Sequence, residues 1–279
     1  EVAIRTAGMH PVYLGRIPTP ALAAYALGRR RGSIMVTGSH IPFDRNGYKT
    51  NTSCGELLKH HEGPINAHVE KVRSRIYNLQ YSESLFDSGG RLKSGHTELL
   101  APLQQASNEY INRYVHFFGE TALSGLKLAF YQHSAVGRDI FPELLRRLGA
   151  DVIEVGRSDV FIPIDTENID EVQLGHMQSL IDRVLSTQDS LFALISTDGD
   201  SDRPLILGID EVDGKARFYS GDLVGMITAS YLNVDAVVVP ISCNDAIDHS
   251  SLRKITEPKT RIGSPYVISG MLAAAARGK

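Results

Sequence analysis

Three aspartates within five residues, and a serine set between a glycine and a histidine, are the parts of this chain most suited to chemistry. Asp198, Asp200 and Asp202 stand at i, i+2 and i+4 and are followed by Arg203. On an extended loop that spacing turns the three carboxylates to one side, where their oxygens can converge on a hard cation. Unpaired, they would repel and raise one another's pKa, so a divalent ion is the natural neutraliser. A calcium loop of the EF-hand type needs glycine at its sixth position and glutamate at its twelfth. Here those positions hold Arg203 and Ile209, so that reading fails. The plain alternative is a solvated acidic turn. The apolar run Leu191–Ile195 just before the loop counts against it, because open α/β sheets place ligands at the carboxyl ends of their strands.

The second candidate is Thr37-Gly38-Ser39-His40-Ile41-Pro42, continuing to Asn46-Gly47-Tyr48-Lys49. Gly38 permits close backbone approach and Pro42 fixes the turn. A serine hydroxyl is a weak nucleophile unless a base or a metal activates it. His40 is adjacent, but neighbouring side chains on an extended loop point apart. No G-x-S-x-G elbow occurs, which weakens a hydrolase triad. Lys49 could reach back over the loop as a phosphate clamp. Taken alone, this stretch reads as an ordinary Gly/Ser/Pro surface turn. The remaining histidines, His60 and His61 included, lack an E-x-x-H or C-x-x-C frame and read as solvated or structural. A hydroxyl, a cation and a carboxylate cage together are the components of metal-assisted phosphoryl transfer.

The elements that must position these loops follow an α/β alternation. Thr19-Pro20 reads as an N-cap and first helical position, leading a helix over 21–27. Ser33–Val36 is a buried-strand candidate that delivers the serine loop, and a polar helix is expected from Pro64 to about Tyr77. The polar, glycine-bearing stretch 82–95 reads as loop or linker. Helices are expected over 103–118, 141–148 and 177–185, alternating with strands over 127–131, 151–155 and 191–195. A hairpin turn at 210–214 joins strands at 205–207 and 216–219, and Ser220 can cap a helix over 222–232. A strand at 236–240 and a last helix over 266–276 complete the pattern.

Length and composition bound the rest. A chain of 279 residues suggests two or three domains. Its 42% hydrophobic and 22% charged content is ordinary for a soluble globular protein. A net charge of -3 gives no reason to expect nucleic acid or an anionic membrane as a partner. No window of about 18 apolar residues suggests a membrane span. Cys54 and Cys243 stand far apart in unlike contexts and read as reduced thiols of a cytoplasmic protein. The opening Glu1-Val2-Ala3-Ile4-Arg5 has no signal-peptide pattern and reads as the middle of a domain.

Together the two loops resemble a specific family. Thr37–His40, Pro42, Asn46-Gly47 and Lys49 resemble the phosphoserine loop of the α-D-phosphohexomutases, the phosphomannomutase/phosphoglucomutase family, and Asp198–Arg203 resembles its magnesium loop. Gly15–Pro20, Gly221-Asp222 and Arg261–Gly263 are lesser matches in the same order, so the resemblance spans essentially the whole chain. It implies successive three-layer α/β domains with mixed sheets: a phosphoserine domain over 1–100, a metal-binding domain over 101–209 and a sugar-recognition domain over 210–279. The first and third are expected to be partial and a fourth absent. It implies a phosphate on Ser39, and Mg²⁺ held by Asp198, Asp200, Asp202 and a phosphoserine oxygen. Lys49 and Arg203 would supply cations near the developing charge, and His40 would assist proton transfer or hold the loop. The implied partners are a hexose phosphate and a hexose 1,6-bisphosphate, with mannose and glucose both open and the oligomeric state unspecified. Ile41 departs from the family, which usually has asparagine there. Two further readings are a catalytically incomplete module binding metal and sugar phosphate, and a metal-dependent phosphatase.

Overall fold

The computed structural model describes all residues except His40, Pro42, Phe43, Ser94, His96, Thr97 and Glu98. The expected role of His40 therefore lies outside the described residues. The chain begins with a short helix α1 (Val2–Thr6), then α2 (Thr19–Leu27), and strands β1 (Ser33–Thr37), β2 (Gly47–Thr52) and β3 (Gly55–Glu56). The three strands form an antiparallel sheet in the order β1-β2-β3. β1 exists as expected but is not buried: Ile34 and Val36 are about half exposed, because an open three-stranded sheet covers only one face of its edge strand. Helix α3 (Lys59–Tyr77) starts five residues before Pro64, which sits within its first turns. Thr19 is the first helical residue of α2 rather than its cap, with Pro20 beside it.

The middle of the chain follows with α4 (Gln105–Phe118), β4 (Lys127–His133), α5 (Ile140–Arg147), β5 (Asp151–Arg157), α6 (Glu171–Leu185), β6 (Ala193–Thr197), β7 (Pro204–Ile209) and β8 (Ala216–Tyr219). The sheet order is β5-β4-β6-β7-β8, with β4 parallel to both neighbours and β7 antiparallel to β6 and β8. Period-two alternation in β4 assigns the layers. Leu128 and Phe130 face α5 through Phe141 and Leu145. Ala129 and Tyr131 face Met177, Leu180, Ile181 and Val184 of α6. Each such buried aliphatic side chain stabilises the sandwich by about 1.5–3 kcal/mol. α6 begins six residues earlier than its apolar period suggests, because Asp170 caps it and Gln173 closes the capping box. The β7–β8 hairpin carries the five-stranded sheet through Tyr219, past residue 209.

Beyond the sheet lie α7 (Gly221–Leu232), α8 (Ala246–His249), a 3₁₀ turn (Ser251–Ile255) and α9 (Ser264–Ala276). Ser220 stands at the N-cap of α7 without a side-chain hydrogen bond. The strand expected at 236–240 is present only as isolated parallel bridges, Val237 with Thr256 and Pro240 with Thr260. Pro240 and Pro258 lack the N–H groups that a continuous ladder would use. No helix among the described residues is long and apolar enough to cross a membrane. The architecture is thus α/β with mixed sheets and, in the middle unit, three layers.

Candidate phosphoryl-transfer and metal site

Three element ends meet at one point. α4 is the strut: Ala106 and Tyr110 pack against Leu14, Ile17 and Ala21, while Ile111 and Val115 pack toward Leu144 and Leu148. A bidentate ion pair, Arg29 to Glu109 at 2.7 and 2.9 Å, reinforces this α2–α4 contact. The packing sets the N-terminus of α2 and the carboxyl end of β1 over the carboxyl end of β6. There the Thr19 N–H donates to the Asp200 carbonyl oxygen at 2.9 Å.

The serine loop and the aspartate loop are in direct contact. Ser39 Oγ donates to Asp198 Oδ2 at 2.5 Å, and the Ser39 N–H donates to Thr37 Oγ1 at 2.8 Å. Ser39 has φ of 53°, in the left-handed region that a non-glycine residue enters at a cost. Gly199 is required by this approach, since a Cβ there would fall against the Ser39 carbonyl oxygen well inside van der Waals contact. Gly199→Ala is accordingly expected to cost about 1–3 kcal/mol of stability. By pushing the loops apart it should also cut any turnover by roughly 100-fold. Denaturant titration and steady-state assay check the two effects separately.

Asp198 and Asp200 are essentially buried, with 0% and 2% of their surface exposed, whereas Asp202 lies at the rim. Asp198 Oδ1 accepts from the backbone N–H groups of Asp202 and Arg203 at 3.1 and 3.2 Å, which curls the loop around it. Asp200 Oδ2 accepts from Thr19 Oγ1 at 3.1 Å, Thr37 Oγ1 at 2.9 Å and Lys49 Nζ at 2.7 Å. Lys49 also pairs with Asp202. Burial pushes the Asp198 carboxyl above the usual carboxylate range, and the neighbouring Asp200 and Asp202 charges add to the rise although the Ser39 hydrogen bond opposes it. Burial acts in the same direction on Asp200, but Lys49 and the Thr37 hydroxyl outweigh it and hold that carboxyl below its ordinary value. The Lys49 ammonium loses solvation but gains two carboxylates, and its pKa is raised.

The donor set fits a hard divalent cation. One oxygen from each of Asp198, Asp200 and Asp202 lies within 4.8 Å of the others. With three donors on Oδ2, the second oxygen of Asp200 is buried and has no hydrogen-bond partner. A buried carboxylate oxygen left in that state is costly unless a cation takes it. Arg203 contributes its backbone to the loop, but its guanidinium turns to Glu167 at 3.0 Å and is partly exposed. Ser39, Lys49 and the three aspartates are therefore brought together, and the Arg203 side chain stands apart from them.

Thr19 and Thr37 are the residues whose part in the site the sequence reading missed. Thr19 reads as a helix start because of Pro20, and nothing local announces a partner 181 positions away. Below the loop, His133 is fully buried, with Nε2 2.9 Å from the Thr197 carbonyl oxygen. Burial depresses its pKa, and the Arg138 charge adds to the effect against the opposing hydrogen bond. The unfolded chain then binds a proton more readily than the folded one, so this group's contribution to stability is lost as pH falls below about 6.5. The stability difference between wild type and His133→Gln should shrink from pH 7 to pH 5, by at most about 1.4 kcal/mol per pH unit. Denaturant titrations at each pH measure it.

A cavity of about 450 Å³, lined mainly by apolar groups such as Val12, Leu14, Leu22 and Ile34, lies at the other end of β1 from Ser39. It takes no part in the cage.

Residues 2–75 match the family model described as phosphoglucomutase/phosphomannomutase, alpha/beta/alpha domain I. The chain is 39% identical to a phosphomannomutase of Sinorhizobium fredii over 99% of its own length and 53% of the relative's. It is 37% identical to a phosphomannomutase of Salmonella muenchen, covering 96% of this chain and 49% of that protein. A crystal structure described as a putative phosphomannomutase from Thermus thermophilus shares the fold, with a TM-score of 0.67 at 18% identity over 96% of this chain and 57% of that one. The chain spans about half the length of these curated relatives. Residues 2–75 thus match the phosphoglucomutase/phosphomannomutase domain I, and the chain as a whole is similar to phosphomannomutases about twice its length.

Proposed function

We propose that the protein is a phosphohexomutase that moves a phosphoryl group between the 6- and 1-positions of a hexose phosphate, by way of a phosphorylated Ser39 and a hexose 1,6-bisphosphate. The observation that carries the reading is the contact of Ser39 Oγ with Asp198 inside the three-carboxylate cluster. In the forward direction the free sugar hydroxyl attacks the phosphorus of phospho-Ser39. The P–Oγ bond breaks, the hydroxyl gives up its proton, and the Ser39 oxygen leaves to be protonated. After the bisphosphate turns over, Ser39 Oγ attacks the other phosphate and the sugar is released as the isomeric monophosphate.

Asp198, Asp200 and Asp202 would hold a divalent cation, Mg²⁺ by family resemblance, with a phosphoserine oxygen as a further ligand. When bound, that ion supplies electrostatic neutralisation of the phosphoryl oxygens. Thr19 and Thr37 orient Asp200, leaving Oδ1 free of other donors. Lys49, already at the cluster, brings a cation to the charge that develops during transfer. His40 would assist proton transfer, and Arg203 would add a second cation at the rim only by leaving its pairing with Glu167. A domain division at about residue 100 belongs to the same proposal, with sugar recognition in the part beyond Tyr219 rather than beyond residue 209, where a cut would divide the β7–β8 pair.

The test is a product assay on the intact protein with mannose 6-phosphate, Mg²⁺ and a trace of hexose 1,6-bisphosphate, followed by phosphorus NMR. Formation of mannose 1-phosphate supports the mutase. Release of inorganic phosphate instead would identify a metal-dependent phosphatase, and binding without turnover a sugar-phosphate-binding module.

A further inference from the structure

His133 closes β4 with its backbone in the left-handed region, at φ of 29°, and its ring fully buried. Its Nε2 lies 2.9 Å from the carbonyl oxygen of Thr197, the residue directly before Asp198. A carbonyl only accepts, so Nε2 carries the proton and, in a neutral ring, Nδ1 does not. Nδ1 is itself buried and without a hydrogen-bond partner. An unmet acceptor of that kind costs about 1–3 kcal/mol. The ring is thus held by one polar bond, and that bond ends on the aspartate loop.

The Thr197 carbonyl has little else to hold it. Thr197 and Pro204 are a non-hydrogen-bonded pair of the β6–β7 ladder, so the Thr197 carbonyl points to the β4 side, where the paired residues end at Phe130 and Ile195. Ser196 Oγ is 3.5 Å from the same carbonyl but 2.5 Å from the Tyr131 carbonyl oxygen, to which it is committed. Other restraints act further along: the Val136 N–H donates to the Gly199 carbonyl, and the Gly137 N–H and the Thr197 hydroxyl both donate to Ser201 Oγ. The N–H of the Thr197–Asp198 peptide itself donates to the Arg203 carbonyl at 3.1 Å, so His133 on the carbonyl side and Arg203 on the amide side together set the plane from which Asp198 departs.

We infer that His133 is a positioning residue for the carboxylate cage, its Nε2–H fixing the Thr197–Asp198 peptide and so aiming the Asp198 carboxylate at Ser39. The inference rests on reading the aspartate loop as a cation site. Groups that orient metal ligands in this way typically change metal affinity 10- to 100-fold when lost.

The experiment compares Mn²⁺ binding, by electron paramagnetic resonance of the free ion, in wild type, Asp200→Asn, His133→Leu and His133→Gln. Leucine and glutamine bear the same backbone burden at φ of 29°, but only glutamine can place an amide N–H near the position of Nε2. Expected are Mn²⁺ binding by wild type that Asp200→Asn abolishes, a loss of roughly tenfold in His133→Leu, and a return to within about threefold of wild type in His133→Gln. Equal weakening by both His133 variants would mean packing alone, and unchanged affinity in His133→Leu would mean no role; either overturns the inference while leaving the cation site intact. Wild type that bound no Mn²⁺ would remove the cation site and this inference with it. Should His133→Leu not fold, nitrogen NMR of wild-type histidines decides: an Nε2–H ring supports the assignment and an Nδ1–H ring overturns it.

Discussion

Ser39→Ala is expected to lower kcat for hexose-phosphate interconversion by roughly 10⁴-fold or more in the intact protein, since it removes the oxygen that carries the phosphoryl group. The structural cost is small by comparison. Ser39 is partly exposed, and the variant loses its hydrogen bond to Asp198 at 2.5 Å, worth about 1.5–3 kcal/mol when the acceptor is charged. Activity and stability should therefore separate, with turnover gone and the melting temperature lower by only a few degrees. A fall in kcat matched by gross unfolding would point to a scaffold role for the hydroxyl. Normal conversion of mannose 6-phosphate by Ser39→Ala would remove the mechanism.

Asp200→Asn should act through the cation rather than through folding. Asparagine keeps the shape of the residue and an oxygen for the Thr19 and Thr37 hydroxyls, but it removes one of two buried carboxylates only a few ångströms apart. Two effects then compete in the metal-free protein. Lys49 loses one of its two carboxylate partners, and Asp198 is relieved of a neighbouring charge that raises its pKa. These oppose each other, so metal-free stability should change by about 1 kcal/mol or less. The response to Mg²⁺ should change far more. At a concentration 100 times its Kd the ion stabilises a protein that binds it only when folded by about 2.7 kcal/mol. Asp200→Asn is expected to lose almost all of that gain, with affinity down by roughly 100-fold. Calorimetric titration and thermal melts with and without Mg²⁺ measure both quantities. An equal Mg²⁺-induced rise in melting temperature for variant and wild type would place the cation elsewhere.

What the sequence disclosed followed the range of the signals. The middle unit was legible because its strands and helices carry their own periods: Leu128 and Phe130 against Ala129 and Tyr131 is a pattern visible in four residues. The aspartate loop was legible because Asp198, Asp200 and Asp202 are close in the chain as well as in space. The apolar period alone places the start of α6 six residues late, whereas the Asp170–Gln173 capping signal marks where it begins. β1 was expected to be buried because its β-branched run looks the same in an open antiparallel sheet as in a covered one. The contacts that join the two loops were beyond local reach. Thr19 and Thr37 act on a carboxylate 181 and 163 residues away, and only the packing of α2 on α4 brings them to it.

The central claim is that Ser39 and the three aspartates form one phosphoryl-transfer centre. Its most direct test is peptide mass spectrometry of the protein after incubation with a hexose 1,6-bisphosphate and Mg²⁺. A gain of about 80 Da, one phosphoryl group, is expected on the peptide containing Ser39 and localised to that residue, and it should be absent from Asp200→Asn. An unmodified Ser39 peptide, or a phosphate carried on another residue, would contradict the claim.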